Sequence, residues 1–482
     1  MDGVNIDARS VTEPEEGCDA VADLSETHLL DLCSSKGSNE WQDSESDETA
    51  YRLHKFAFEG DFKSLSKALS SRDNRVDPRL KDKHGNTALH IASMLGRKEC
   101  VQVLLAYNAP VDSKNLQAQT SLNEAISYGN REIIMTMLHR LREQTQESVD
   151  SHRPGVQQAL NDLDDFQLAL KWEFHSWVPL VSRLLPCDTC HLYKKGCRIR
   201  MDTTLIDFKN MKWERGDLSF IFDGRNLGSR SLLVMDNVAQ CYQWIRDQSE
   251  EVLAGDVDLL MSTDNETGKL STRDIKFSRA HSGFIFKEGK SEVVADCNAD
   301  FYHVHGIKLV SVKRREHLSE EDIKANRVKI DQSNIHKALE DGPAAITRRE
   351  SLPPPKLPNI TWKEYWSAPA GKPPCIGRPP KSKKSSKTFQ ATVAMSAEFP
   401  VTVQQLLTVL ESIKPLRHFK KLREFMAGRL PPGFPVKLEI PVFPTVTAKV
   451  AFEHFAWKND LEESFFDVPS HYVEDNNRFA GL

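Results

Sequence analysis

Asp82-Lys83-His84-Gly85-Asn86-Thr87-Ala88-Leu89-His90-Ile91-Ala92 is answered, 33 residues later, by Asn115-Leu116-Gln117-Ala118-Gln119-Thr120-Ser121-Leu122-Asn123-Glu124-Ala125. Thr87 falls on Thr120, Leu89 on Leu122, Ala92 on Ala125 and Gly96 on Gly129. Each match has a structural task. Asp82 to Gly85 supplies a turn, Thr87 offers a hydroxyl to cap a helix, Ala92 lets two helices approach, and Gly96 ends the first of them. Cys100, Val103 and Leu104 then share one face of a second helix, and Ile133, Ile134, Met137 and Leu138 share the face of the next.

A helix-turn-helix unit recurring every 33 residues is the signature of the ankyrin repeat. Its marker positions are Gly85, Thr87, Leu89, His90, Ala92 and Gly96, then Thr120, Leu122, Ala125 and Gly129. An earlier, degraded copy begins at Tyr51, with His54, Phe56 and Gly60 lying 36 residues before His90, Ala92 and Gly96. Three units are about the minimum for a stable stack. The repeats occupy residues 50–142. Residues 143–200 read as a helical cap or connector, because Leu163, Phe166, Leu170 and Phe174 recur at helical spacing. Such a stack presents its turn tips and inner helices to protein partners and carries no catalytic machinery.

From Asp202 the texture changes to short β-rich runs between turn formers. Thr203–Phe208, Leu218–Phe222, Ser231–Met235, Ile275–Phe277, Gly283–Phe286, Glu292–Val294 and Phe301–Val312 predict an antiparallel meander over 201–340, with a charged helix, Leu318–Ala338, at its end. Residues 341–386 form a linker rich in Pro and basic residues, in which Lys372–Lys387 reads as a mobile loop with Lys381, Lys383, Lys384 and Lys387 free to touch anionic lipid. Residues 387–482 read as a C-terminal α/β part: a strand at Lys387–Met395, helices at Val401–Ile413 and Leu416–Met426, and two strands in Val436–Phe452 broken by Pro441 and Pro444. The predicted fold class is α+β and multidomain: an N-terminal ankyrin stack, then a mixed, mainly antiparallel β domain with helices.

The net charge of −5 is unevenly spread. Residues 1–50 hold fourteen Asp or Glu against Arg9 and Lys36, so the rest of the chain is basic. With few apolar residues to offset the entropy of ordering, residues 1–49 read as a disordered acidic segment, where Ser44 and Ser46 are candidate phosphorylation sites. Ser351, after Arg348-Arg349-Glu350 and before Pro353-Pro354-Pro355, is a third. The N-terminus lacks the basic flank and apolar core of a secretory signal, and nine scattered cysteines fit reduced thiols.

Chemistry of other kinds is not indicated. Cys187-x-x-Cys190-His191 followed by Cys197 spells half a zinc site with no second half, and reads as ordinary thiols near a helix end. His303 and His305 face one way on a strand, with no further ligand at suitable spacing. There is no phosphate loop, nucleophile elbow or HExxH, so neither a catalytic residue nor a cofactor is expected, and no motif suggests nucleic-acid binding.

Asp300-Phe301-Tyr302, Lys313-Arg314-Arg315-Glu316-His317-Leu318, Ser351-Leu352-Pro353-Pro354-Pro355, Thr361-Trp362-Lys363-Glu364-Tyr365 and Leu430-Pro431-Pro432-Gly433-Phe434-Pro435-Val436-Lys437-Leu438 together resemble the ankyrin-repeat-domain protein 13 family. Trp177-Val178-Pro179-Leu180 and Asp202–Phe208 are similar to it as well. Several members carry ubiquitin-interacting motifs after the shared domain and act as adaptors in receptor endocytosis. No such motif is seen here, so the sequence is more similar to the C member. That resemblance implies a non-enzymatic chaperone, peripheral on the cytosolic face of the endoplasmic reticulum membrane, that holds newly made G-protein-coupled receptors through their cytosolic segments; the alternatives are an endocytic adaptor for ubiquitylated membrane receptors and a simple ankyrin scaffold. The acidic N-terminal segment is expected to meet basic receptor tails electrostatically.

Overall fold

The computed structural model describes residues 50–71, 76–176, 185–209, 212–226, 231–245, 250–271, 274–282, 288–324, 348–356, 359–405, 407, 430–443, 445–476 and 478–479. Within them the repeat period folds as three helix pairs. They are α1 (Arg52–Glu59) with α2 (Phe62–Ser70), α3 (Ala88–Met94) with α4 (Lys98–Ala106), and α5 (Ser121–Tyr128) with α6 (Arg131–Asn161). Leu89 and Ala92 are fully buried, Ala125 is buried against the same core, and Leu122 lies beside it. Gly85, Gly96 and Gly129 adopt φ of +76°, +64° and +86°, a region that side chains with a Cβ rarely enter. Thr120 caps α5 by accepting the Asn123 N–H at 3.2 Å. Asp61 and Asn130 do the same for α2 and α6.

The stripe read as a helix over Leu163–Phe174 is instead the first strand. α6 runs to Asn161 and the chain then enters β1 (Phe166–Ser176), followed by β2 (Cys187–Lys195), β3 (Arg198–Lys209), β4 (Lys212–Asp223), β5 (Leu232–Asp236) and β6 (Cys241–Trp244). Phe166, Leu168, Leu170, Trp172 and Phe174 also satisfy a period of two, and pairing on both edges of β1 selects that reading. Nor does this segment close the repeat array. That place is taken by α7 (Glu250–Ser262), whose Leu253, Val257 and Met261 join the ankyrin core. Arg131–Asp258 and Arg142–Asp256 ion pairs fix α7 to α6.

Next come β7 (Asn265–Ser271), β8 (Lys276–Arg279), β9 (His281–Ser282), β10 (Glu288–Gly289), β11 (Ser291–Val294) and β12 (Cys297–Arg314). A short helix α8 (Trp362–Ser367) precedes β13 (Ser382–Ser396), β14 (Phe434–Phe443), β15 (Val446–Trp457) and β16 (Val473–Glu474). Apart from the β9–β10 ribbon, the described strands form one sheet in the order β11-β12-β13-β14-β15-β1-β2-β3-β4-β5-β6-β16, with β7 and β8 also paired to β12. Its named pairs are antiparallel except β16 with β6.

The regions separated in sequence as 201–340 and 387–482 are therefore neighbours in one sheet. β15 lies against β1 from Phe166↔Trp457 to Ser176↔Val446, and β13 lies along β12. The basic loop expected at Lys372–Lys387 is also strand from Ser382 onward, so Lys383, Lys384 and Lys387 stand exposed on a fixed ladder. Gly433 (φ +106°) lets Phe434 turn into the sheet past the Ser396 carbonyl, where its ring stacks on Phe399 at 4.4 Å. Residues 1–49, Trp177–Leu180, Gly283–Phe286, most of Leu318–Ala338 and nearly all of the two helices expected in 401–426 lie outside the described residues.

Candidate functional site

Turn chemistry repeats along the stack as faithfully as the apolar pattern. Asp82 Oδ1 accepts the His84 and Asn86 N–H groups, both at 2.8 Å. One repeat on, Asn115 Oδ1 accepts those of Gln117 (3.0 Å) and Gln119 (2.9 Å). Histidines clasp each turn from the preceding repeat: His54 Nε2 donates to the Asn86 carbonyl at 3.1 Å, and His90 Nε2 to that of Gln119 at 3.2 Å. Thr87 places its N–H and hydroxyl 3.2 and 2.8 Å from His90 Nδ1. Burial pushes the His90 imidazole down to about 4 and lowers His54 and His84 as well, so these rings are neutral at physiological pH.

Across these turns lies a strap of the same chain, residues 348–356 and 359–381, in place of the free linker expected there. Tyr365 is its fully buried anchor. The Thr361 side chain accepts the Glu364 N–H and the Glu364 carboxylate accepts the Thr361 N–H, a reciprocal cap that fixes α8 and aims Tyr365 at the stack. The tyrosine hydroxyl donates to Asp82 Oδ2 at 2.6 Å and accepts from Asn86 Nδ2 at 2.9 Å. Burial and the adjacent Asp82 carboxylate hold this phenol protonated. The ring meets Phe58 and His84 at centroid distances of 5.7 and 5.1 Å. At the other end Ser351 Oγ accepts the Arg131 N–H at 3.0 Å, and the Leu352 N–H donates to the Gly129 carbonyl at 2.8 Å. Leu352 also covers the Cα of Gly129, leaving no room for a Cβ.

A charged joint ties the sheet to the third repeat. Arg314, at the end of β12, is buried with Nη1 on Glu124 (2.9 Å), Nη2 on Ser127 Oγ (2.9 Å) and Nε on Glu316 (2.6 Å). The Ser127 hydroxyl donates to Glu316, which also accepts the Lys381 N–H at 3.2 Å. Burial alone would raise the Glu316 carboxyl, but Arg314 and the Ser127 hydrogen bond outweigh it and hold the group below its ordinary range. Arg315 forms a two-pronged pair with Asp264, and His317 Nε2 donates to the Thr263 carbonyl at 3.0 Å. Ankyrin repeat, strap and sheet meet at this cluster.

Arg314, Glu316 and Tyr365 lie in strings that carry the family resemblance, and nothing in composition or spacing marks their tasks. The local signal available was the Thr361-x-x-Glu364 capping spelling.

The remaining candidate residues are dispersed. Cys187 and Cys190 lie on β2, not near a helix end, and an offset of three puts them on opposite faces of the strand. Cys197 is buried with Val156 and Leu160. Cys187 and His191 border an open cavity of about 530 Å³. Its Asp188 carboxylate is already occupied by the Thr189 and Thr204 N–H groups and the Thr203 and Thr204 hydroxyls. His303 and His305 stand 6.2 Å apart on β12, with His305 against Ser278. No group of three or more metal-ligating side chains occurs among the described residues. Ser44 and Ser46 lie outside them.

The stack, its strap and the sheet together define an ankyrin-repeat protein built for protein interaction. A three-copy ankyrin-repeat model matches residues 53–147, and a model described as ANKRD13 C-terminal matches residues 200–478, more than half the chain. The chain belongs to the ANKRD13 family. It is 50% identical to ankyrin repeat domain-containing protein 13C of Danio rerio, over 90% of this chain and 88% of that one, and 49% identical to the Homo sapiens 13C protein, over 90% and 79%. Identity to the Homo sapiens 13B protein is 31%, over 84% and 67%. The matched C-terminal segment begins after β1 and β2, although both strands belong to the same sheet.

Proposed function

We propose that this chain is a non-enzymatic receptor chaperone, peripheral on the cytosolic face of the endoplasmic reticulum, that binds newly made G-protein-coupled receptors through their cytosolic loops or tails. The identity of about one half to 13C proteins over nine-tenths of the chain supports this reading, joined to the role that the family resemblance implies. Two further observations are compatible with it. No described helix is long and apolar enough to cross a membrane. Neither matched family model is a catalytic one. In this reading residues 1–49 steer basic tails and the folded body supplies affinity. Ser351 is its regulatory site, with a basophilic kinase sequence on an exposed segment whose hydroxyl rests at the start of α6.

Proximity labelling in cells, with and without inhibition of the ubiquitin-activating enzyme, tests the proposal. Labelling of immature receptors at the endoplasmic reticulum should survive inhibition. Labelling confined to ubiquitylated receptors at the cell surface would replace this reading with an endocytic adaptor. Pull-downs with a receptor tail at two salt concentrations should show that deletion of residues 1–49 weakens binding chiefly at low salt.

A further inference from the structure

The turn tips of an ankyrin stack are its customary partner surface, and here they are covered by residues 359–378 of the same chain. The covering segment is built like a ligand. It offers one deeply buried aromatic anchor, Tyr365, on a helical turn shaped in advance by its own Thr361–Glu364 cap. Beyond the turn it continues through main-chain contacts, with the Gly371 N–H on the Lys83 carbonyl at 3.2 Å and the Gly371 carbonyl accepting from Gln117 Nε2 at 3.0 Å.

The receiving surface is matched to a phenol. Asp82 Oδ1 is consumed by its own turn, leaving Oδ2 to accept the tyrosine hydroxyl. Asn86 Oδ1 is taken by Asn115 Nδ2 at 2.9 Å, leaving Nδ2 to donate to the same oxygen. Donor and acceptor thus converge on one hydroxyl at the floor of a pocket walled by Phe58 and His84.

We propose that the ankyrin stack carries a peptide-binding site for a tyrosine presented on a helical turn, and that residues 359–378 occupy it as an intramolecular ligand. A protein partner that engages these turn tips must present comparable chemistry and displace the strap. A tethered ligand competes at an effective concentration that a free peptide rarely reaches, so the site is silent in trans until the strap is weakened. The receptor reading is not used here, and the assay below contains no receptor, so the two proposals fail separately.

The probe is a fluorescent peptide of residues 359–371, titrated by anisotropy into the full chain. The Tyr365→Ala chain should bind it saturably and at least about tenfold more tightly than the unaltered chain, and a peptide carrying Tyr365→Phe should bind the Ala chain more weakly. A folded Tyr365→Ala chain that ignores the peptide, or binds a Tyr365→Ala peptide equally well, would overturn the proposal. If the Tyr365→Ala chain does not fold, the Tyr365→Phe chain decides by hydrogen exchange. Amides 365–371 should exchange at least about tenfold faster than in the unaltered chain, with those of the sheet unchanged. Equal rates at 365–371 would show the segment to be fixed packing and not a displaceable ligand.

Discussion

Tyr365 and Asp82, 283 positions apart in sequence, share a 2.6 Å hydrogen bond in a site from which water is excluded. Asp82 is at the same time the residue that shapes the His84–Asn86 turn. The strap is thus fastened to a side chain on which the repeat itself depends.

Tyr365→Phe keeps the ring and removes the hydroxyl, stranding Asp82 Oδ2 and Asn86 Nδ2 in the buried pocket. The expected loss is about 1–3 kcal/mol. Tyr365→Ala adds a cavity beside Phe58 and should cost about 3–5 kcal/mol. Urea unfolding of the two variants, followed by fluorescence and by circular dichroism, gives both values. Equal losses would mean that the ring contributes nothing beyond the hydroxyl, and an unchanged Phe variant would mean that the hydroxyl contributes nothing.

At the joint, Arg314→Met leaves Glu124 and Glu316 facing one another without their shared cation. Removing one member of a buried ionic set costs about 3–5 kcal/mol. The further exchange of Glu124→Gln should restore part of that loss. A double-mutant cycle showing strict additivity between positions 314 and 124 would deny the coupling seen at 2.9 Å.

The repeat histidines predict acid sensitivity with a defined sign. The His90 pKa is about 4 in the folded chain against 6.5 for the free side chain, so the folded form resists protonation. Stability is complete above pH 6.5 and falls as pH drops from there toward 4, by about 1.4 kcal/mol per unit for this one group. His90→Asn installs the residue that the third repeat carries at Asn123. Between about pH 7.5 and about pH 5, denaturation should show the unaltered chain losing about 2 kcal/mol more than this variant. A parallel loss in both proteins would remove His90 from the account.

Zinc should not bind stoichiometrically through Cys187, Cys190, His191 and Cys197, because the strand alternation of β2 points Cys187 and Cys190 apart and Cys197 is buried with α6. Elemental analysis of the purified chain is the check. One tightly held metal per chain, lost on Cys187→Ser, would contradict the geometry.

The ankyrin stack was legible because its information is local and repeated. Thr87, Ala92 and Gly96 each act within their own helix pair, and a period of 33 aligns them. The sheet was legible strand by strand but not in its pairing. Phe166–Phe174 satisfies helical and strand periods together, and the pairing of β1 with β15 resolves them only across almost the whole domain. The strap was unreadable for the same reason. Its prolines and lysines describe a loop, whereas the burial of Tyr365 comes from Phe58, Asp82 and Asn86, which no local window contains. Nothing local to Arg314 and Glu316 marks them as buried, because their partners Glu124 and Ser127 come from another fold element.

The adjacency of β1 and β15 also dictates an order of events on the ribosome. When Phe166–Ser176 leaves the exit tunnel, the strand that will cover one of its edges has not been translated, and β1 through β6 must wait with that edge open while more than two hundred further residues are made. An unpaired edge of that length invites intermolecular pairing, and long-range closure of this kind is slow. A nascent chain halted by a stop codon between β13 and β14 would keep the repeats that fold early and lose the strands that seal β1. Such a product is expected to accumulate in inclusion bodies or on holding chaperones.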